Sequence, residues 1–457
     1  MFADLEEYAL ARHQVVEWLS PLPEHWGAAR GKTLFRREKR EPLPDDGVVT
    51  CFRDGAVTLR SNRRVTGFTE AVQEHGYQRI LKGDLVIHAM DAFAGAVGVS
   101  DSDGKSSPVY AACTPRASAN ADYYAHVVRE MARTGWIAAL SRGVRERSTD
   151  FRFESFAAQN LPVPPLDEQE AIVKYLKHAH GRIDRVVASK RKLIALLDEQ
   201  RRAITHRAVT RGLDPDVTLE ESGVPWLGKI PTHWDLAPTR AALKLAKTVV
   251  GEAHGDHVLL SLTLGGVVVR DLSRSKGKFA SDQSTYQLVA AGQFVFCLFD
   301  VDETPRTVGL SRVDGMITGA YRVFDCPDRE LAEFTELYFL AMDDGKYLRP
   351  LYTGLRKTIP IGPFLQSKMP FPPPAERARI VAEVRAQSSA INDLKARAVR
   401  EIELLREYRA RLTSDVVTGR VDVRKIARTL PEVEGGKSSN LDDALDVEEL
   451  ESAIADG

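Results

Sequence analysis

The architecture follows from Leu161-Pro-Val-Pro-Pro-Leu-Asp-Glu-Gln169 and from the apolar pattern behind it. A related stretch, Met369-Pro-Phe-Pro-Pro-Pro-Ala-Glu-Arg377, occurs 208 positions further on. Each proline cluster ends one element, and a helical pattern of about 45 residues follows it. Because a proline stop and a periodic run recur in register, we predict that the chain is a duplicated unit.

The apolar residues of the two runs alternate in steps of four and three, which is typical of a coiled coil. In the first run they are Ile172, Leu176, Ala179, Ile183, Val186, Leu193, Leu197 and Ile204. Adding 208 gives Ile380, Val384, Gln387, Ile391, Leu394, Glu401, Leu405 and Leu412. We predict helix–helix or partner contacts for Ile172, Leu176, Ile183, Val186, Leu197, Ile380, Val384, Ile391, Leu394 and Leu405.

A second pair of echoes marks the start of each copy. Trp18-Leu-Ser-Pro-Leu-Pro-Glu-His-Trp26 is matched by Trp226-Leu-Gly-Lys-Ile-Pro-Thr-His-Trp234, again 208 positions later. Between these motifs and the proline stops, both copies alternate short β-rich segments, glycine turns and one helical pattern. The sequence therefore predicts two mixed α/β domains, each leading into a long helix.

The predicted fold class is α+β, with two mixed α/β domains related by internal duplication and joined by two long helices in an antiparallel coiled coil with pseudo-two-fold symmetry. The predicted segments are a first domain at 1–160 with a helix at 4–19, a first central helix at 161–212, a linker at 213–228, a second domain at 229–367, a second central helix at 368–419 and an acidic, disordered tail at 420–457.

The length of the linker favours an antiparallel arrangement of the two helices. Each helix is about 60 Å long at 1.5 Å per residue. The chain from Arg211 to Trp226 reaches at most about 50 Å when fully extended. An antiparallel pair places the end of the first helix beside the start of the second, so we expect the two domains at opposite ends of the pair.

Composition narrows the class of protein. Apolar content is 43% and charged content 28%, as in globular proteins. No window resembles a membrane span or a signal peptide, and the four cysteines lack metal-site spacing. We therefore expect a cytoplasmic protein that does not contact a membrane. Nine acidic residues and one lysine lie in 430–457, so the rest of the chain carries a net positive charge although the total is −1.

Equivalent segments of the two copies carry positive charge, while the residues around them differ. Cations at repeated positions suit DNA phosphates, and divergent loops suit base readout. The candidate DNA-binding residues are Lys32, Arg36, Arg37, Arg60, Arg63, Arg64, Arg142, Arg145, Arg147, Lys244, Lys247, Arg270, Arg274, Lys276, Lys278, Arg356 and Lys357.

Two alternatives to DNA recognition stay open from the residues alone. The chain is also compatible with a coiled-coil scaffold whose end domains bind proteins. Asp328, Asp344 and Lys346 imitate a nuclease pattern around Mg²⁺, although the first copy lacks equivalent residues. No zinc spacing or dinucleotide loop is present, so we predict no catalytic or metal site in this chain.

The motifs resemble those of the specificity (S) subunits of type I restriction–modification systems. The resemblance rests on Pro162-Val-Pro-Pro-Leu-Asp-Glu-Gln169 with Ile172, on Gly212-Leu-Asp-Pro-Asp216 and on Ser222-Gly-Val-Pro-Trp-Leu-Gly-Lys-Ile-Pro-Thr-His-Trp234. The duplicated layout covers residues 18–423. The second copy departs from the pattern because Arg377 stands where a glutamine is usual.

This resemblance implies a DNA-reading subunit without catalysis of its own. Two target recognition domains would each read half of a bipartite duplex site, and the helices would set the gap and dock two modification (M) subunits. The M subunits would bind S-adenosylmethionine and methylate adenine, and restriction (R) subunits would use ATP and Mg²⁺. Because the two copies share few loop residues, we expect an asymmetric site.

Overall fold

The computed structural model describes residues 5–63, 75–140, 150–270 and 283–432, which form two compact units. The first unit contains the chain up to Ala188 and again from Ile402 onward, and the second contains Ser189–Glu401. None of the helices in these described ranges is long and apolar enough to span a membrane.

The first unit is built from short strands and helices before its long helix begins. Its strands are β1 (Glu6–Glu7), β2 (Gly27–Arg30), β3 (Phe35–Arg37), β4 (Val49–Cys51), β5 (Val57–Leu59), β6 (Gln78–Ile80), β7 (Leu85–His88), β8 (Val97–Val99), β9 (Gly104–Ser106), β10 (Tyr110–Pro115) and β11 (Asn160–Val163). Its helices are α1 (Gly31–Leu34), α2 (Ala121–Arg133), α3 (Trp136–Leu140) and α4 (Phe153–Ala158).

An antiparallel sheet with strand order β3-β10-β7-β8 separates two cores of the first unit. Side chains alternate across a strand, so Leu85 and Ile87 contact the core formed with α2, while Val86 contacts the β4–β5 and β6–β9 hairpins. Ala112 of β10 lies in that second core as well. The sheet thus places helices on one face and hairpins on the other.

The helix predicted at 4–19 is wrong for the described residues 5–19. There β1 pairs with a strand at Val421–Asp422, and Ala11 donates its backbone N–H to Leu22 at 2.8 Å. Val16 and Leu19 are buried in the first core. These tertiary contacts outweigh a periodicity that was compatible with a helix.

The first long helix, α5, spans Leu166–Arg211 and follows β11. The prediction placed this helix at 161–212. Pro162, Pro164 and Pro165 explain the later start, because proline restricts the residue before it to extended conformations and has no N–H to donate. Gly212 follows the helix at φ +74°, which is the expected left-handed stop.

The second unit repeats the first, element by element. Its strands are β12 (Leu219–Glu221), β13 (Lys229–Pro231), β14 (Asp235–Pro238), β15 (Lys244–Ala246), β16 (Leu260–Thr263), β17 (Gly266–Val269), β18 (Gln287–Val289), β19 (Phe294–Phe296), β20 (Val308–Leu310), β21 (Gly315–Ile317), β22 (Arg322–Asp325) and β23 (Lys368–Phe371). Its helices are α6 (Arg329–Asp344), α7 (Ile361–Gln366) and α8 (Pro374–Val417), and α8 continues into the first unit.

The sheet of the second unit has the order β15-β22-β19-β20, which is equivalent to that of the first. Phe294 and Phe296 contact the helical core and Val295 contacts the hairpin core, as Leu85, Ile87 and Val86 do in the first unit. The predicted internal duplication is therefore confirmed in topology and in the direction of side chains.

Two predicted boundaries change with this structure. The second helix begins at Pro374 rather than 368, because β23 precedes it. Residues 213–228 are more than a linker, since β12 pairs with β13 and Val224 and Leu227 are buried in the core of the second unit.

Part of the predicted disordered tail at 420–457 is folded. β24 (Val421–Asp422) pairs with β1, and α9 (Arg424–Thr429) follows it. Val423 and Ala427 are buried in the core of the first unit, which explains why this segment is ordered. Residues 433–457 lie outside the described ranges.

The two long helices run antiparallel within each unit. In the first unit, His180 Nε2 lies 2.9 Å from Thr413 Oγ1, and Arg409 donates to Asp184 at 2.9 Å. In the second unit, Lys395 donates to Asp198 at 2.6 Å, and Lys190 pairs with Glu401 at 2.5 Å. Residue numbers rise along α5 as they fall along α8, so the antiparallel pairing predicted from the linker length is confirmed.

Candidate nucleic-acid interface

The buried seam between the helices has a longer repeat than the predicted heptads. Ile172, Ile183 and Ile194 are 1%, 5% and 8% exposed, and they are eleven residues apart. In α8 the same interval separates the buried Ile380, Ile391 and Ile402, each 208 positions later. An eleven-residue repeat of about 3.67 residues per turn lies closer to a straight α-helix than a heptad does.

This repeat corrects two of the predicted seam residues. Val186 is 44% exposed and Leu394 is 49% exposed, while Val187 and Lys395 occupy the buried positions. Ile172, Leu176, Ile183, Leu197, Ile380, Val384 and Ile391 are buried as expected, and Leu405 is half-buried. Val186 and Leu394 stay candidates for contacts with a partner.

A carboxylate in the first turn of α5 holds the start of that helix against the first unit. Glu168 is 1% exposed and accepts hydrogen bonds from Tyr8, from Trp26 Nε1 at 3.1 Å and, at 2.9 Å, from His25 Nε2 in the donating tautomer. Arg424 lies 4.0 Å away. Burial, and then the hydrogen bond to Glu168, raise the pKa of Tyr8 far above its ordinary value.

The second unit builds the same junction in a more open form. Glu376 accepts from Trp234 Nε1 at 3.1 Å and contacts His233 Nε2 at 2.8 Å, and its side chain is 24% exposed. An added Cβ at Gly212 would lie 3.1 Å from Glu376 Oε1. The end of α5 therefore meets the start of α8 at this carboxylate.

The two copies differ at Gln169 and Arg377, and they also differ at a second pair of equivalent positions, Asn120 and Asp328, which are likewise 208 residues apart. Gln169 is fully buried, accepts from the backbone N–H of Asn120 at 2.8 Å and donates to Ser118 and Pro164 carbonyls. Arg377 instead lies 3.6 Å from the carboxylate of Asp328. Asn120 and Asp328 are the N-cap residues of α2 and α6, so both pairs connect a domain helix to a long helix.

The predicted cations of the first unit fall into two groups. Lys32 in α1 and Arg36 in the edge strand β3 are exposed, although Arg36 also pairs with Glu38 at 2.8 Å. Arg37 pairs with Glu154 at 2.9 Å, and Arg60 donates to Thr50 at 3.0 Å. These four stay candidates for phosphate contacts.

Arg63 differs from this group because its side chain is only 11% exposed. It pairs with Asp54 at 2.7 Å and lies over the Phe52 ring at 4.1 Å. A cation held in this way braces the turn between β4 and β5. The arrangement argues against the predicted phosphate contact by Arg63.

In the second unit, Lys244 and Lys247 are exposed on and after the edge strand β15, the counterpart of β3. Arg270 is half-buried at the end of the β16–β17 hairpin. Arg356 pairs with Asp300 at 2.7 Å and Lys357 with Asp302 at 2.8 Å, so both cations are held by carboxylates. Arg64, Arg142, Arg145, Arg147, Arg274, Lys276 and Lys278 lie outside the described residues.

The nuclease alternative is wrong. Asp328 precedes α6 and Asp344 is its last residue, so a helix of about 24 Å separates them. Asp344 pairs with Arg306 at 2.9 Å, and Lys346 pairs with Asp343 at 2.7 Å. Within the described ranges, no group of three or more histidine, cysteine, aspartate or glutamate residues is placed to hold a metal ion.

No protein-family model and no curated protein matches this chain. Among solved structures, the chain resembles one described as the structural basis of complex assembly and conformational transition of the type I R-M system. The two are 13% identical with a TM-score of 0.63, over 88% of this chain and 100% of the other. This chain therefore shares the fold of a chain from a type I R-M system.

Two further structures are less similar to this chain. The HsdS subunit from Thermoanaerobacter tengcongensis is 14% identical, with a TM-score of 0.47 over 88% of this chain and 98% of its own. The type I S subunit from M. genitalium is 10% identical, with a TM-score of 0.34 over 89% and 99%. The fold assignment depends on the first structure alone.

Sequence reasoning missed the two carboxylates that connect the start of each long helix to its domain. Glu168 and Glu376 lie 208 positions apart, as do the His-Trp pairs that contact them. Asn120 and Asp328 have the same offset. The sequence therefore contained a signal for these junctions. Some polar residues are identical in the two copies, and others differ in pairs.

Proposed function

We propose that this chain is the DNA sequence-specificity subunit of a type I restriction–modification complex. In this proposal it has no catalytic role and reads an asymmetric, bipartite duplex site through its two α/β domains. It docks M subunits, which bind S-adenosylmethionine and methylate adenine, and R subunits, which use ATP and Mg²⁺. The chain itself binds no cofactor.

The observation that carries the proposal is a repeated scaffold with unlike hairpins. Both sheets have the same strand order, and exposed cations occur on the edge strands β3 and β15 of both. In contrast, residues 52–56 form the turn after β4, whereas only Leu264 and Gly265 separate β16 from β17. Repeated cations suit phosphates, and different turns suit different half-sites.

The long helices offer surface for the M subunits beyond their own seam. In the first unit Val186 and Leu404 are 44% and 55% exposed, and in the second unit Leu193, Leu196 and Leu394 are 42%, 51% and 49% exposed. Apolar side chains outside an internal seam favour contact with another protein. We propose these residues as part of the M-subunit contact.

The test is to map methylated adenines across the genome of cells with and without this gene. The proposal requires one asymmetric, bipartite motif that is methylated only when the gene is present. In parallel, the chain and its M partner should select one such duplex from a random pool. If the complex binds duplex without sequence preference, the proposal fails and the protein-binding scaffold is favoured.

The eleven-residue repeat of buried positions in α5 and α8 allows a second test, which asks whether the helices set the gap between half-sites. Eleven residues inserted into both α5 and α8 complete about three turns, so the buried faces stay aligned. We expect the gap between half-sites to lengthen by about five base pairs, because about 16 Å of helix is added and duplex DNA rises 3.4 Å per base pair. Selection from a random duplex pool measures the gap.

A nine-residue insertion into both helices is the control. It adds about two and a half turns and moves the buried faces away from each other. We expect this variant to lose helix pairing and site-specific binding. An unchanged gap in the eleven-residue variant would contradict the idea that the helices set the spacing.

A further inference from the structure

An isolated leucine projects from a tight turn in the second unit. Thr353 and Thr358 exchange backbone hydrogen bonds of 2.9 and 3.0 Å, which closes the turn. Between them, Leu355 is 103% exposed, so its side chain is not packed against any of the described residues. This segment follows α6 and precedes α7.

The backbone imposes this exposure. Gly354 has φ +69° and Lys357 has φ +43°, so both residues adopt the left-handed conformation that tight turns use. The N–H of Asp300 donates to the carbonyl of Arg356 at 2.9 Å, and the N–H of Ile359 donates to Leu298 at 2.8 Å. These bonds fix the base of the turn to the chain after β19.

Two cations directly follow the exposed leucine in the chain. Arg356 and Lys357 are held by Asp300 and Asp302, and their side chains are 74% and 46% exposed. Exposed ion pairs of this kind contribute little to stability, so the cations can exchange their carboxylates for other anions at low cost. The turn therefore presents an apolar tip next to two positive charges that can exchange their partners.

The first copy has the same residue pattern. Gly143-Val144-Arg145 corresponds to Gly354-Leu355-Arg356, with an aliphatic residue between the glycine and the arginine. Gly143–Arg145 lies outside the described residues, so the equivalence is one of sequence. A pattern present in both copies favours a role shared by both domains.

We propose that Leu355 is an apolar wedge that inserts into a base step of the DNA half-site read by the second unit. This inference rests on the proposed function and adds a specificity-determining residue to it. Arg356 and Lys357 exchange Asp300 and Asp302 for backbone phosphates on either side of the step. Insertion of a leucine partly unstacks the bases, which costs least at flexible pyrimidine–purine steps.

The positive charges next to Leu355 favour DNA over a protein groove as the binding partner of this turn. A protein pocket for leucine needs apolar neighbours, but the residues beside Leu355 are cationic and solvent-exposed. A base step offers an apolar slot bordered by phosphates, which matches both features. An inserted Leu355 also predicts that the complex prefers certain bases at a DNA step that no side chain contacts by a hydrogen bond.

The experiment uses the full chain with its M partner and the duplex that this complex selects from a random pool. 2-Aminopurine is placed at each position of the second half-site in turn, and its fluorescence reports unstacking. We expect one step to brighten on binding. With Leu355→Ala, that signal should disappear and affinity should fall about tenfold.

Val313→Ala is the matched control, because Val313 is also an exposed aliphatic residue in this unit and lies between β20 and β21, away from the proposed DNA contacts. It should leave both fluorescence and affinity unchanged. If Leu355→Ala keeps the bright step and the affinity, the wedge is wrong while the proposed function stands. If Leu355→Ala weakens M-subunit binding instead, the tip contacts protein. If the complex selects no duplex, the proposed function fails, and the wedge fails with it.

Discussion

In the first unit, Gln169 is buried against the backbone of Asn120, whereas in the second Arg377 lies 3.6 Å from Asp328. Both residues of the pair have changed, and the junction they form is retained. The nearby carboxylates differ in another way, since Glu168 is 1% exposed and the Glu376 side chain 24%. A duplicated scaffold thus tolerates divergence when two polar partners change together.

The largest expected difference between the units concerns these carboxylates. Glu168→Ala removes the buried carboxylate that accepts hydrogen bonds from Tyr8, His25 and Trp26, and it should lower the free energy of unfolding by about 3 kcal/mol. Glu376→Ala leaves groups that water can reach, so about 1–2 kcal/mol is expected. Urea denaturation of the full chain measures both. Equal losses of stability in the two variants would contradict the expectation that the buried Glu168 contributes more than the partly exposed Glu376.

A smaller effect is expected from exchanging the paired residues. Gln169→Arg alone places a cation beside Asn120 without a carboxylate, which should destabilise the first unit. Adding Asn120→Asp reproduces the pair of the second unit and should recover about 1–2 kcal/mol. A double-mutant cycle in urea measures this coupling. The reverse cycle with Arg377→Gln and Asp328→Asn is the matched control, and additive effects in both cycles would show that the pairs are independent.

The smallest expected effect per residue is a pH dependence from a pair of histidines in the first unit. His126 and His180 have ring centroids 5.8 Å apart, and Arg129, Arg409 and Asp184 lie around them. Burial, and then the nearby arginines, lower the pKa of His126 to about 3. The same causes lower the pKa of His180 to about 2. The neutral form is favoured in the folded protein.

Because both pKa values are depressed, the stabilisation is complete above the unfolded value of about 6.5 and is lost as the pH falls below it. From pH 7 to pH 5 we expect a loss of about 1 kcal/mol per histidine, after discounting for solvent screening. His126→Phe introduces the residue found at the equivalent position of the second unit, Phe334. It should remove the part of the pH-dependent loss of stability that comes from His126. Urea titrations at both pH values measure this, and an identical pH slope in the variant would contradict it.

The long-range architecture was predictable because it depends on features that repeat. The two helices, their antiparallel direction and the α/β domains follow from the proline stops, the apolar periodicity and the reach of the chain. The heptad assignment of Val186 and Leu394 was wrong, because steps of four and three are compatible with both a seven- and an eleven-residue repeat. Burial in the folded pair decides between them.

Local tertiary contacts explain the other errors. Residues 5–19 form extended structure because β24 and Glu168 hold them, and nothing in their own spacing reveals those partners. Arg63 looked like a phosphate contact, yet Asp54 and the Phe52 ring hold it in place. Charge on a loop is visible in a sequence, but its internal partner is not.

The discontinuity of the first unit affects the order in which the protein matures on the ribosome. The second unit is made from the continuous segment Ser189–Glu401, but the first needs Val416, Val417 and Val423 to complete its core. Because synthesis proceeds from the amino terminus, the second unit is available for folding while the first still lacks these residues. A nascent chain stalled before Ile402 would therefore leave Trp26 and its neighbours exposed to chaperones.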